Sequence, residues 1–419
     1  MCGIAGCLTK DLINNNLINK ILNSMYNRGP DNQDKVRFEV GKKNLYLFHS
    51  RLSIIDLEPR SHQPFKFKNY TLVFNGEIYN FKDIRDHLIS LGYKFKTKSD
   101  TEVIIKAFSE WKTDCFKKFI GMWSIAIWDD KIKKLYLSRD RFGEKPFYYI
   151  TYRDEFYFAS ELKTLKIIYN KKMELNSRKI MDFLFKGYKS IKKDEATFIK
   201  DVMQLKPSET LTLFKGKLSK DKYWKLTYNP DYKMKYNDAL QEIKYLVEKS
   251  VQRTLISDVP LSIMLSGGVD SATILGIAKK KFNKNFKSFS IIDNDDRYNE
   301  IKNLNLSTKY LKSRNIKLRL SKNINNNFFK LNDLIGYHFK PVLTISSFLS
   351  SLLTKKIKNH NIKVNLSGIG ADEVFSGYYD HTLFYLSVIK NEKFFYKNFS
   401  FWKKNYKKNI RNPFLKNEK

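Results

Sequence analysis

Cysteine is nearly missing from this 419-residue chain, which has only Cys2, Cys7 and Cys115. Three thiols build no disulfide framework and show no metal-ligand spacing, so a reducing compartment is expected. No apolar run is long enough to span a bilayer. The N-terminus also lacks the basic start and apolar stretch of a secretion signal, so a soluble, cytoplasmic protein without a membrane partner is expected. No internal repeat is evident. Acidic residues are the minority, 43 Asp and Glu against 78 Lys and Arg, for a net charge of +35. Clustered, that excess would point to nucleic acid. Here the lysines are spread along the whole chain amid Asn, Ile, Phe and Tyr, a pattern that biased codon usage also produces. Nucleic acid is therefore not the expected partner.

What is present is enough for two cores. The length exceeds one ordinary domain, and 42% hydrophobic with 15% aromatic residues argues against wholesale disorder. Up to about residue 215, short β-rich runs such as "YTLVFNGEIYN", "GMWSIAIWDD", "KLYLSRD", "PFYYI" and "EFYFAS" alternate with two helical stretches. Phe81, Ile84, Leu88 and Leu91 fall at helical spacing in one, and "TEVIIKAFSEW" forms the other. This half reads as antiparallel sheet with helices packed on it. The polar stretch "SKDKYWKLTYNPDYKMKYND" reads as a linker. Beyond it strands alternate with helices: helix 238–256, strand 261–265, helix 271–281, strand 286–292, helix 299–313, strand 316–320, further helices and strand 362–366. That order predicts a parallel, doubly wound sheet. The expected domains are 2–215 and 237–419, joined by a linker over 216–236.

The chain opens "MCGIAG". Removal of Met1 would give Cys2 both a thiol nucleophile and a free α-amine able to accept a proton near neutral pH. The same residue could simply begin a buried strand.

In the second half, "LSIMLSGGVDSATILGIA" runs an apolar strand into Ser266-Gly267-Gly268-Val269-Asp270-Ser271 and then into an apolar helix. Two glycines permit a tight turn, and the amides opening the helix point toward an anion, which suits pyrophosphate. The Walker lysine and spacing are missing. About a hundred residues on, "IKVNLSGIGADEVFSGYY" repeats the arrangement. Ligands of open parallel sheets gather at the carboxyl ends of strands, so both turns can face one crevice. Asp270 and Asp372 could then bind Mg²⁺ while the metal holds phosphates, or Asp372 could be an ordinary helix cap.

The ordered motifs MCGIAG, RGPD, RLSIID, NGEIYN, SDTEV, RDRFGEKPFYY, SDVP, LSGGVDS and LSGIGADE span residues 2 to about 380. In them the chain resembles the glutamine-hydrolysing asparagine synthetase family. The resemblance implies a class II glutaminase of the Ntn-hydrolase type, an αββα sandwich, followed by an ATP-pyrophosphatase synthetase domain. It implies that Met1 is removed and that Cys2 attacks the glutamine amide with its own α-amine as proton relay. Asn75 and Gly76 would form the oxyanion pair. Arg51 would clamp the glutamine carboxylate and Asp100 its ammonium, with Leu52, Ser53, Ile54, Ile55 and Glu77 completing the glutamine site. ATP would bind at Ser266, Gly267, Gly268, Asp270 and Ser271 through pyrophosphate, and at Met264, Ile291, Ser367 and Gly368 through adenosine. The metal would sit on Asp270 and Asp372. Aspartate would be adenylated and then amidated by ammonia passed between the domains along a sealed path. A homodimer through the glutaminase domain is a further implication.

Three departures bear on this. Ile369 stands where the family commonly has Glu or Gln, which opens a second reading: an amidotransferase acting on another carboxylate, such as a sugar acid of a surface polysaccharide. Asn27 replaces the usual His before RGPD. The chain stops before the further helices that family members generally carry, which opens a third reading, a truncated chain with glutaminase activity only.

Overall fold

The computed structural model describes residues 1–295, 299–320 and 324–410. They fall into two compact units, one of Met1–Leu261 with Ser321–Val364, the other of Ser262–Leu320 with Asn365–Lys419.

The first unit carries β1 (Gly3–Thr9), α1 (Asn15–Met25), β2 (Asn32–Val40), β3 (Lys43–Arg51), β4 (Phe65–Phe67), β5 (Tyr70–Ile78), α2 (Phe81–Ser90), α3 (Asp100–Trp111) and α4 (Cys115–Lys118). It continues with β6 (Gly121–Asp129), β7 (Lys134–Arg139), β8 (Tyr148–Tyr152), β9 (Glu155–Ala159), α5 (Leu162–Tyr169), α6 (Ser177–Lys186), β10 (Met203–Gln204), β11 (Glu209–Phe214), β12 (Lys217–Lys222) and α7 (Tyr236–Thr254). Two six-stranded antiparallel sheets result, ordered β10-β8-β9-β1-β3-β2 and β12-β11-β7-β6-β5-β4.

Period-two alternation explains the layering, because each strand has a residue set for both faces. Ile4, Leu8, Leu45 and Leu47 of the first sheet join Val73, Ala126, Trp128 and Leu137 of the second in one buried cluster between the sheets. The opposite set, Ala5, Cys7, Tyr46 and Phe48, packs with Ile18, Ile21 and Met25 of α1 and Leu162, Leu165 and Ile168 of α5. Leu72, Phe74, Ile125 and Ile127 pack with α2, α3 and α4 through Ile84, Leu88, Val103, Phe108 and Phe116. The layers are therefore α-β-β-α, as expected.

Helix ends follow their caps. Asn14 accepts the amide of Leu17 to open α1, and Ser99 accepts that of Thr101 to open α3, whose first turn carries Asp100 and Glu102 against the helix dipole. Leu91, expected on the buried face of α2, lies one residue past its end and is 47% exposed. Residues 216–236, read as a linker, contain β12. All six of its residues are exposed, three of them Lys, as befits a protected sheet edge, and polarity there masks the strand. Tyr223 follows it and donates its hydroxyl to Arg139 O at 2.7 Å.

The second unit holds β13 (Leu261–Met264), α8 (Val269–Lys280), β14 (Lys287–Ile292), α9 (Ile301–Tyr310) and β15 (Asn315–Arg319). By their contacts, helices α10 (Ile324–His338) and α11 (Ile345–Lys358) group with the first unit, as does α7. The second unit resumes with β16 (Val364–Leu366), α12 (Ala371–Phe375), α13 (Tyr379–Val388) and α14 (Phe395–Asn405). Its sheet runs β15-β14-β13-β16, with β13, β14 and β15 parallel. The order reverses direction at β13, so the carboxyl ends of β13 and β16 flank the switch point of a doubly wound sheet. Ile263, Leu265 and Ile292 pack against Leu275 of α8 and Leu304 of α9.

Candidate active sites

Cys2 stands one residue before β1, and the pairing of Gly3 with Ser50 sets it beside the end of β3. Its Sγ accepts the Leu52 amide at 3.3 Å and lies 3.7 Å from Leu52 O. Burial pushes the thiol above its usual range. The RGPD turn holds this end in place. Arg28 Nε donates to Cys2 O at 2.8 Å, and Asp31 Oδ2 accepts the Ser53 amide at 2.7 Å. Only glycine fits at Gly29, where a Cβ would lie 2.2 Å from Ser50 O.

A small cavity of about 50 Å³ opens beside Cys2. Of the sequence-predicted glutamine residues, Cys2, Arg51, Leu52, Ile54, Ile55, Asn75, Gly76, Glu77 and Asp100 line it; Ser53 is the exception, its amide bound to Asp31. Asn75 is completely buried, and neither Nδ2 nor Oδ1 has a hydrogen-bond partner. An orphaned buried amide costs about 1–3 kcal/mol, so something outside packing keeps it there. At Gly76 a Cβ would sit 2.0 Å from Met122 O, so the strand is open only to glycine.

Two carboxyl groups share the cavity. Asp100 is 5% exposed and accepts the Ile78 amide at 3.1 Å; burial pushes it up to about 6. Glu77, 8% exposed, is pushed up to about 7 by burial and by the Asp100 charge. A cation entering between them would relieve both. Arg51 spends three of the five hydrogen bonds a guanidinium can donate on the carbonyls of Ile55, Asp56 and Glu58. The same loop is tied by the SDVP segment: Asp258 N donates to Ile54 O at 2.9 Å and its Oδ2 accepts the Asp56 amide at 2.8 Å. Lys145 also lines the cavity and was not named from the sequence, although the motif RDRFGEKPFYY contains it.

In the second unit the loop from β13 to α8 folds on itself. The Ser266 amide donates to Ser271 Oγ at 3.1 Å, and the Gly268 amide to Ser266 Oγ at 3.0 Å. The Gly267 amide donates to the Glu300 carboxylate at 2.9 Å, so this loop already receives an anionic oxygen. The second turn approaches closely: a Cβ on Gly368 would lie 2.9 Å from Ser271 N and 3.0 Å from Asp270 Cβ. Ser367 follows β16 directly, and Met264 and Ile291 sit half-buried at the carboxyl ends of β13 and β14. Burial and the charges of Asp372 and Glu373 raise Asp270 above its usual range. Two such aspartates suit a hard divalent cation. Among the described residues no group of three or more His, Cys, Asp or Glu side chains forms a metal cage, so further ligands would have to be water or phosphate. Ile369, between the two glycines of the second turn, is 84% exposed.

The first half is thus a glutamine amidotransferase domain: the family of that description matches residues 1–224, and the family described as asparagine synthase matches residues 242–412. The chain belongs to the glutamine-hydrolysing asparagine synthetase family. A Methanocaldococcus jannaschii protein described as a glutamine-hydrolysing asparagine synthetase is 30% identical, over 91% of this chain and 76% of its own. Asparagine synthetase 1 of Bacillus subtilis is 31% identical over 90% of this chain, and asparagine synthetase 3 is 29% identical. The chain spans 59% and 63% of the lengths of those two. Among solved structures, the glutamine phosphoribosylpyrophosphate amidotransferase of B. subtilis is similar over 83% of this chain and 92% of its own, at 10% identity and a TM-score of 0.41. Among the described residues no helix is long and apolar enough to cross a membrane.

Proposed function

We propose that this chain hydrolyses glutamine at Cys2 and uses the ammonia, with ATP, to amidate the side-chain carboxylate of aspartate. The observation that carries the first step is the Asn75 amide, buried without a partner in the cavity that Cys2 lines. After removal of Met1, Cys2 Sγ attacks the carboxamide carbon of glutamine, and its α-amine takes the thiol proton. The carbonyl oxygen becomes an oxyanion held by the Asn75 side-chain N–H and the Gly76 amide. The amine then returns the proton to the leaving nitrogen, which departs as ammonia and leaves a γ-glutamyl thioester for water to hydrolyse. Arg51 binds the substrate carboxylate with its remaining donors, and Asp100 with Glu77 binds the ammonium.

In the second unit the Ser266–Ser271 loop would receive the pyrophosphate portion of ATP in the place where Glu300 now sits, with Met264, Ile291, Ser367 and Gly368 toward adenosine. Mg²⁺ on Asp270 and Asp372 would neutralise phosphate charge. The carboxylate attacks the α-phosphorus, pyrophosphate leaves, and ammonia then displaces AMP from the acyl-adenylate. A second acceptor, such as a sugar acid, remains the alternative because Ile369 stands where the family commonly has Glu or Gln.

Amide-labelled glutamine and ATP supplied with aspartate, or with uronic acids, decide between these. Labelled asparagine with equimolar AMP is the expected product; it must vanish in Cys2→Ala, and added labelled ammonia should restore it. A labelled uronamide would replace aspartate as acceptor. Glutamate and ammonia without AMP would reduce the chain to a glutaminase.

A further inference from the structure

The cavity contains a cation to which the mechanism above gives no role. Lys145 is 3% exposed, and among the described residues the hydrogen-bond partner of its Nζ is Sδ of Met1, at 2.7 Å. Thioether sulfur is a weak acceptor. Removal of Met1 would take away even that contact and leave the ammonium in the cavity that Cys2 lines.

The chain spends much structure on aiming this side chain. Asp140, completely buried, accepts the amides of Phe142 at 3.1 Å, Glu144 at 2.9 Å and Lys145 at 2.9 Å, so the turn is wound around one carboxylate. Arg139 then donates Nε to Lys145 O at 2.6 Å and Nη2 to Gly143 O at 2.5 Å. Gly143, at φ +68°, makes the reversal that a side chain would resist. The RDRFGEK sequence is thereby a mount for one lysine.

We propose that Lys145 is a positioning residue for glutamine hydrolysis, its charge keeping the Cys2 amine neutral and ready to accept a proton while keeping Glu77 ionised for the substrate ammonium. This rests on the glutaminase reading above. The groups facing the terminus are Cys2 itself, Arg28, Lys145 and Glu77; those facing Lys145 are Glu77, Arg28, Glu144 and Asp140. Burial drives the terminal amine of the intact chain down to about 5; Cys2 and Glu77 oppose that shift, and Arg28 and Lys145 add to it. Glu77 is held down by Lys145 against the burial that raises it. Burial lowers Lys145 itself to about 8, so its charge is present below that pH and fades above it.

The test uses the full chain with Met1 removed, as wild type, Lys145→Met and Lys145→Arg, with Lys145→Gln should the Met variant not fold. Two pH profiles are recorded: kcat/KM for glutamine, and the rate at which formaldehyde closes a thiazolidine on the Cys2 amine and thiol, with loss of water. The second requires a neutral amine and no glutamine turnover. Lys145→Met should move the acid limb of both profiles up by about one pH unit and raise KM for glutamine at pH 7, since one charge at close range shifts a neighbour by that order. The Arg variant should restore both. A uniform loss at every pH, unmoved limbs, or an Arg variant that behaves like Met would overturn the proposal. If wild type fails to hydrolyse glutamine while the thiazolidine limb still moves, the electrostatic role stands and the glutaminase reading falls.

Discussion

The two units set their candidate sites in opposite surroundings, around a glycine within strand β5 in the first and around two glycine turns in the second. In the first, the polar groups are sealed in: Asn75 is completely buried, and Asp100, Glu77 and Lys145 are all below 10% exposed. In the second, the turns are more open, with Val269 80% and Ile369 84% exposed and Asp270 and Asp372 half-buried. Fixed dipoles act strongly where water is excluded, so the sealed site can work through one amide and one backbone N–H. An open site cannot rely on that, because water screens its dipoles. On the proposed function its aspartates would be completed by a cation and a phosphate chain. The sealed site should therefore be sensitive to single side chains and indifferent to magnesium, and the open one the reverse.

The largest expected effect breaks the sealed side. On the proposed mechanism Asn75→Ala removes one oxyanion donor and should lower glutaminase kcat by about 10²–10³-fold. Because the amide is unpaired in the folded chain, melting temperature should fall little or rise. A variant that melts far lower would mean the amide serves packing. The matching change on the open side is Asp270→Asn. ATP–pyrophosphate exchange should drop by on the order of 10²-fold as metal binding weakens, with glutamine hydrolysis unchanged and chelator without effect on it. A chelator that stops glutamine hydrolysis would erase the distinction between the sites.

How far the sequence reaches also differs between the units. The alternation of strand and helix in the second half was legible: a helix expected over 238–256 is α7 at Tyr236–Thr254, and the strand expected over 286–292 is β14 at Lys287–Ile292. Apolar runs bounded by polar turns carry that signal unaided. In the first half the strands were legible and their division into two stacked sheets was not, since alternation with both faces apolar suits one covered sheet as well as two. The lysines of β12 hid a strand because an edge needs polarity. All the motif positions named for glutamine except Ser53 line the cavity, which places those residues without assigning their roles. Lys145 went unseen because a lysine before proline in a turn reads as solvated. Only the burial of Asp140, through contacts distant in sequence, reveals that the turn points inward.

The smallest effect expected concerns Glu77, and it tests whether sealing has a cost. Its carboxyl titrates at about 7 in the folded chain and at the usual 4.5 when unfolded. Between those values the folded state holds more protons, so this group lowers stability as pH rises through that window, and the loss is complete above 7. Glu77→Gln should then be the more stable protein at pH 8, by on the order of 1–3 kcal/mol, and close to wild type at pH 4.5. In function the sign reverses. Wild-type KM for glutamine should fall several-fold from pH 6 to 8 as Glu77 ionises toward the substrate ammonium, and the Gln variant should show a higher, flatter KM. Urea melts and steady-state kinetics on the same samples measure both. A Gln variant that is less stable at pH 8 would mean that the Glu77 charge is already satisfied within the fold, and the contrast between a strained sealed site and a relaxed open one would be lost.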